Sequence, residues 1–283
     1  MKIGIISYDT RIDNEAINNI KKINEEYAKI HNYKFIYEIF DINSINYDWE
    51  DLRSDDKNHF KLKVFCHKAE LIEKYLNDFD YIVYIDSDAC FSNPTIKIED
   101  LIDNEHDFFI SQDNGLLSTT VWQIYSSVAI QNYLQKIKKP YLQDPEKELK
   151  ELSIFEGPIL EKLRWITCNP SGFNTGFFIV KSSDIIKKFF IDFKKYYPIF
   201  EENSYDQGCI SNLLRTIKYK NILKILPLNT QGNPFFEHPD FIYKEDETFI
   251  CHYYALKSDI ERLLNHIKLI KNNKWWTKFK REN

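Results

Sequence analysis

The stretch YIVYIDSDACF, residues 81–91, runs apolar side chains straight into two aspartates, Asp86 and Asp88, and then returns to small and apolar residues. A continuous apolar run bounded by polar residues reads as a central strand covered on both faces, so the carboxylates should emerge at its carboxyl end. Open α/β sheets bind their ligands at that end.

The segments around it fit such a sheet. KIGIISY is a short β-run, and DNEAINNIKKINEEYAKIHN places Ile17, Ile20, Ile23, Tyr27 and Ile30 at helical spacing behind a cap at Asp13. YKFIYEIF is a second strand, which completes a βαβ unit and favours a parallel sheet with a right-handed crossover. After a polar loop at residues 49–58, KVFCHKAELIEKYL has helical periodicity and leads into the carboxylate strand. Residues 111–164 are less regular, with a helix predicted at TTVWQIYSSVAIQNYLQKI and an acidic, proline-punctuated loop after it, where acceptor specificity is expected to lie. GFNTGFFIVKSS reads as a glycine-bounded turn entering an apolar strand, DIIKKFFIDFKKYY and YDQGCISNLLRTI as helices, and ILKILP as a strand. TFICHYYALKSD reads as an apolar strand ending on a histidine. The pattern predicts a single α/β domain with a mixed, mostly parallel central sheet flanked by helices.

Composition narrows the partners. With 38 basic against 43 acidic residues, a net charge of −5, the chain offers no global positive field for nucleic acid, so a small molecule is the expected partner. Cys66, Cys90, Cys168, Cys209 and Cys251 are scattered without CxxC pairs and read as reduced thiols rather than a disulfide frame or zinc site. The chain opens on a strand instead of a leader, and no segment reaches the ~18 consecutive apolar residues of a membrane span. A cytoplasmic protein is the resulting expectation.

Two aspartates at i and i+2 at a strand end can both reach one hard cation, although an isolated pair of this kind also caps turns. Their company decides. In order along the chain, HKAELIEKYLNDFDYIVYIDSDA, HDFFISQD, FNTGFFIV, DQGCISNLL and CHYYALKSD resemble nucleotide-sugar glycosyltransferases of the GT-A fold. The resemblance is to the galactosyl- and xylosyltransferase family 34, with features of the glycogenin-like family 8, and it spans residues 2–259. The alternation of strands and helices reads as a nucleotide-binding half at residues 1–110, with a donor-sugar and acceptor half at 111–259. Residues 260–283 then form a basic, aromatic C-terminal helix.

By that resemblance Asp86 and Asp88 hold Mn²⁺ or Mg²⁺ on a donor diphosphate, and His252 is the third protein ligand, an imidazole that favours Mn²⁺. Without it, His252 reads as a hydrogen-bonded strand histidine. Lys257 resembles the lysine that holds the diphosphate, although Ala255 stands where the family pattern has glycine. Lys68 occupies the place of a lysine that reaches the donor, and otherwise reads as a solvated side chain. Tyr8, with Arg11 nearby, matches the aromatic position at the nucleotide base, though Tyr8 suits the core equally well. Asn174, Gln112 and Asp113 match positions that face the donor sugar, with Gly176 allowing close backbone approach. Asp206 and Gln207 match the acidic or amide residues set against the anomeric carbon in retaining members, and Asp206 also suits a helix N-cap.

The resemblance thus implies a metal-dependent, retaining transfer from a nucleotide-diphosphate sugar, UDP-linked in most such enzymes, to a glycan hydroxyl. A haloacid dehalogenase-type phosphatase also begins from DxD after a strand. It fits less well, because Cys90 stands where that family wants Thr or Val and the chain's adjacent aspartate pair, Asp55 and Asp56, lies upstream instead of downstream. A non-catalytic sugar-binding protein of the same fold is a third reading. In the tail, HIKLIKNNKWWTKFKREN mixes basic residues with Trp275 and Trp276; packing back on the domain is favoured over contact with an anionic membrane.

Overall fold

The protein's structure, a computed structural model, describes residues 1–10, 14–39, 41, 56–112, 173–200, 205–214, 216, 218–235, 247–253, 260–272 and 276. In chain order come β1 (Ile3–Asp9), α1 (Glu15–Ile30), β2 (Lys34–Ile39), α2 (Asp56–Tyr75), β3 (Tyr81–Ile85), β4 (Ala89–Phe91) and β5 (Phe108–Gln112). They are followed by β6 (Phe173–Lys181), α3 (Asp184–Phe200), α4 (Tyr205–Leu214), β7 (Leu223–Leu226), β8 (Gln231–Gly232), β9 (Ile250–His252) and α5 (Ile260–Asn272). Six strands form one sheet in the order β2-β1-β3-β6-β5-β7, in which β6 alone runs against its neighbours. A small sheet, β4-β9-β8, adjoins it.

The apolar run is β3, and its side chains alternate between two cores. Ile82 and Tyr84 join one with Ala69, Phe189 and Leu213 from the helices α2, α3 and α4. Tyr81, Val83 and Ile85 join the other with Ile20 of α1 and Ile267 of α5. A strand walled on both faces has no polar side, which is why its sequence shows no period of two.

Local chemistry moves several boundaries. Helix α1 is capped by Asn14, whose Oδ1 accepts the Ile17 N–H at 3.1 Å. The cap expected at Asp13 is one residue early, and Asp13 itself is outside the described residues. The helix stops where Asn32 turns left-handed at φ 58°, a conformation asparagine tolerates. Helix α2 begins at Asp56, inside the stretch expected as a polar loop. Asn174, Thr175 and Gly176 lie inside β6 and form no turn, because β6 pairs β5 from Phe173 and β3 from Phe177 onward. The helix predicted at residues 119–137 and the proline-rich loop after it fall outside the described residues.

Helix α1 also holds the strand that follows the aspartates. The buried Asn24 amide donates to the Ala89 carbonyl at 2.9 Å and accepts the Phe91 N–H at 3.2 Å. It thereby supplies the partner that the outer edge of β4 lacks in its sheet. At the other end of the chain, α5 packs on α1, and Ile267, Ile270 and Trp276 are buried in the second core. Trp275 is outside the described residues. Among the described residues no helix is long and apolar enough to cross a membrane.

Candidate functional site

The chain leaves β3 directly into Asp86 and Asp88. Alternation along the strand sends Asp86 to the side of Tyr84, toward α2 and α4. The turn is fixed by backbone pairing: the Asp86 N–H donates to the Gly176 carbonyl at 2.8 Å, Ala89 N–H to the Asp86 carbonyl at 3.0 Å, and Tyr253 N–H to the Asp88 carbonyl at 2.9 Å. The last of these ties the aspartate turn to β9, which carries His252 beside it. Across that seam, His252 Nε2 lies 3.6 Å from Asp86 Oδ2 and 3.4 Å from Asp88 Oδ1.

One ligand atom from each of Asp86, Asp88 and His252 lies within 4.8 Å of the others, a set able to hold a metal ion. Two hard carboxylate oxygens and one imidazole nitrogen suit a divalent cation. The two aspartates share one segment of the sequence and His252 lies in a distant one, and the fold brings them together.

Lys68 of α2, one of the sequence candidates, is buried at 1% exposure. Its ammonium pairs with Asp206 of α4, lies 3.8 Å from Asp86, donates to the Thr175 carbonyl at 3.3 Å and sits over the Tyr84 ring. Burial alone would lower its pKa, but Asp206 and then Asp86 hold it above that of an ordinary lysine. The solvated reading of Lys68 is therefore wrong. This lysine is a charge fixed between two carboxylates.

Asp86 keeps 29% of its side chain open, yet the protein crowds it closely enough that desolvation raises its pKa, against the pull of Lys68 and His252. Tyr84 donates its hydroxyl to Asp86 Oδ1 at 2.7 Å, and burial together with that carboxylate pushes the phenol's pKa well up, keeping it a donor.

Asp206 sits in the first turn of α4 and is buried. Its Oδ2 accepts from Lys68 and, at 2.7 Å, from the Thr175 hydroxyl. Gln207, the next residue, is half-buried. Asn174 is buried on β6, where its Oδ1 accepts the Gly176 N–H at 2.9 Å and lies 3.2 Å from His252 Nδ1. Tyr8 lies in the core against the His67 ring, its hydroxyl donating to the Val64 carbonyl, so it backs the site more than it opens to it. Gln112 ends β5; its side chain, with Arg11, Asp113 and Lys257, lies outside the described residues.

One residue of the site escaped sequence reasoning, and the partner of another differs from the one expected. Gly176 admits the His252 ring: a Cβ built there would lie 2.8 Å from Nε2 and closer still to Cε1 and Nδ1. The close approach expected of this glycine is thus to a side chain of the same protein. Gln231 of β8 donates to Asn174 Oδ1 at 2.6 Å and lies 2.8 Å from His252 Nδ1. The segment LNTQGNP around it reads as a turn, and only the glutamine's place two strands from the aspartates marks it.

No family model matches the chain, and no curated protein matches it. Solved structures do. The chain is similar to a glycosyltransferase involved in the glycosylation of the major capsid of PBCV-1, at TM-score 0.52 and 13% identity, over 95% of this chain and 100% of that one. It also matches mouse xyloside xylosyltransferase 1 (TM-score 0.48, 8% identity, 90% of this chain and 97% of that one). A third match is the bifunctional glycosyltransferase WbbM (TM-score 0.46, 12% identity), of which it spans 51% while 99% of this chain is covered. At such identities the first likeness speaks for the fold alone. The fold is the GT-A α/β fold that the sequence resembles, a mostly parallel sheet with the aspartate pair at the carboxyl end of its central strand.

Proposed function

We propose that the protein is a metal-dependent, retaining glycosyltransferase that moves a sugar from a nucleotide-diphosphate donor, UDP-linked, to a hydroxyl of a glycan. The observation that carries this reading is the convergence of Asp86, Asp88 and His252 beside a buried Lys68 at the ligand-binding end of a GT-A sheet. Those three side chains would hold Mn²⁺, or Mg²⁺ in its place, and the ion would supply positive charge to the departing diphosphate.

The rest of the work falls to the chain. Lys68 holds Asp86 and Asp206 at fixed distance, so the carboxylates need no reorganisation as charge develops. Gln207, beside Asp206 at the start of α4, would face the anomeric carbon and stabilise oxocarbenium character. Asn174, Gln112 and Asp113 would orient donor hydroxyls, Arg11 the base, and Lys257 the diphosphate. In the retaining course, the nucleotide–sugar C–O bond breaks, the acceptor oxygen bonds to the anomeric carbon on the same face, and the acceptor proton passes to the leaving phosphate oxygen.

The test is a panel of nucleotide sugars with Mn²⁺ or EDTA, read by thermal stabilisation and by release of free nucleotide. A bound donor raises apparent stability by mass action. Stabilisation and slow donor breakdown with a UDP-sugar, both abolished by EDTA, are expected. Phosphate release from simple monoesters without any response to nucleotide sugars would overturn the reading.

A further inference from the structure

We propose that Gln231 is the positioning residue of this site: its amide fixes Asn174 Oδ1, the oxygen that takes the His252 Nδ1 proton, so that Nε2 faces Asp86 and Asp88. The inference rests on reading those three residues as a cation site, and it adds a residue that neither the aspartate pair nor the resemblance points to.

Gln231 is 2% exposed, on the strand beside β9, in register with Ile250. Period two therefore puts it on the same face as His252. Its Oε1 accepts from the Ser111 hydroxyl at 3.2 Å and its Nε2 donates to Asn174 Oδ1 at 2.6 Å. A histidine that offers Nε2 to a cation carries its proton on Nδ1, so the ring donates to that same Asn174 oxygen at 3.2 Å, while the Gln231 nitrogen, itself a donor, abuts Nδ1 at 2.8 Å. The amide is thus pinned by β5 and β6 and can brace the ring on β9. A buried amide tied at both ends turns only by giving up these partners. On its other side the imidazole lies against the bare Cα of Gly176. A ring held between a glycine and a fixed amide has little room to swing. A metal ligand must keep its place to about 0.5 Å, and groups behind a ligating histidine commonly set its affinity.

The probe is Mn²⁺ alone, titrated by calorimetry into the wild type, Gln231→Leu, His252→Ala and the double variant. Gln231→Leu should lower Mn²⁺ affinity about 10–100-fold, with a smaller loss for Mg²⁺, which depends less on nitrogen. In the His252→Ala background the same change should cost nothing further, because Gln231 acts through the ring. Losses that simply add, or a Gln231→Leu protein that binds Mn²⁺ as the wild type does, overturn the brace and leave the cation site standing. A wild type that binds no Mn²⁺ overturns the proposed function, and the brace falls with it. Should Gln231→Leu fail to fold, Ser111→Ala, which removes only the hydroxyl behind the amide, should give a smaller loss in the same direction; unchanged affinity there refutes the proposal.

Discussion

Replacing Gly176 by alanine probes the tightest contact in the site. The new Cβ would lie 2.8 Å from His252 Nε2, against 3.4 Å for ordinary van der Waals contact. The ring must therefore retreat by about 0.6 Å at that atom, and further at Cε1 and Nδ1, before repulsion ends. It has nowhere soft to go, because Gln231 and Asn174 stand against Nδ1 at 2.8 and 3.2 Å. Overpacking of this kind costs about 1–3 kcal/mol, a fall in melting temperature of about 3–10 °C for a domain of this size. A shift beyond about 0.5 Å also takes Nε2 out of ligand position, so Mn²⁺ affinity should drop about 10–100-fold. Differential scanning calorimetry and Mn²⁺ titration read the two effects. The double variant Gly176→Ala with His252→Ala removes the clash and should regain the stability that Gly176→Ala alone loses. A Gly176→Ala protein with wild-type melting and Mn²⁺ binding would refute the reasoning.

Three further outcomes follow from the same structure. Lys68→Met leaves the buried Asp206 carboxylate without its ammonium and should cost about 3–5 kcal/mol in urea unfolding; pairing it with Asp206→Asn should recover part of that, and a neutral single variant would count against the buried ion pair. Trp276→Ala empties a buried site beside Ile267 and Ile270 and should cost about 3–5 kcal/mol while leaving association with anionic vesicles unchanged; stability kept and vesicle binding lost would reverse the assignment of the tail. Burial lowers the pKa of both His31 and His67 below the ordinary 6.5, so their contribution is fully present above pH 6.5 and is lost as pH falls through the lowered values, the unfolded chain taking up protons first. Melting temperature should decline from pH 6.5 to 5, less steeply in a His31→Gln, His67→Gln protein; identical slopes would exclude these two histidines.

How far the sequence could be read depended on whether the deciding contacts were local. β3 was legible because a strand buried on both faces writes itself as an unbroken apolar run, and the two aspartates mark where it ends. Helix α1 was legible from its isoleucine spacing, but its cap fell on Asn14 because capping depends on the geometry of one side chain toward the Ile17 N–H. FNTG was misread as a turn: asparagine, threonine and glycine favour turns by propensity, while pairing with β3 and β5 overrides it. Lys68 left a solvated alternative open because lysines usually face water, and its burial depends on Asp206, 138 residues away in sequence. Gln231 left no local signal at all. Its partners Ser111, Asn174 and His252 come from three other strands, and only the folded sheet assembles them.

The measurement closest to the central claim is calorimetry of UDP binding to the wild type and to Asp88→Asn, each with and without Mn²⁺. Asp88 lies in the turn between β3 and β4 and contributes a ligand oxygen more than packing, so the variant should fold with a near-normal melting temperature. The account predicts that wild-type UDP binding requires Mn²⁺ and that the folded Asp88→Asn protein shows no Mn²⁺-dependent binding. Equal binding of UDP by the two proteins, with or without the metal, would contradict it.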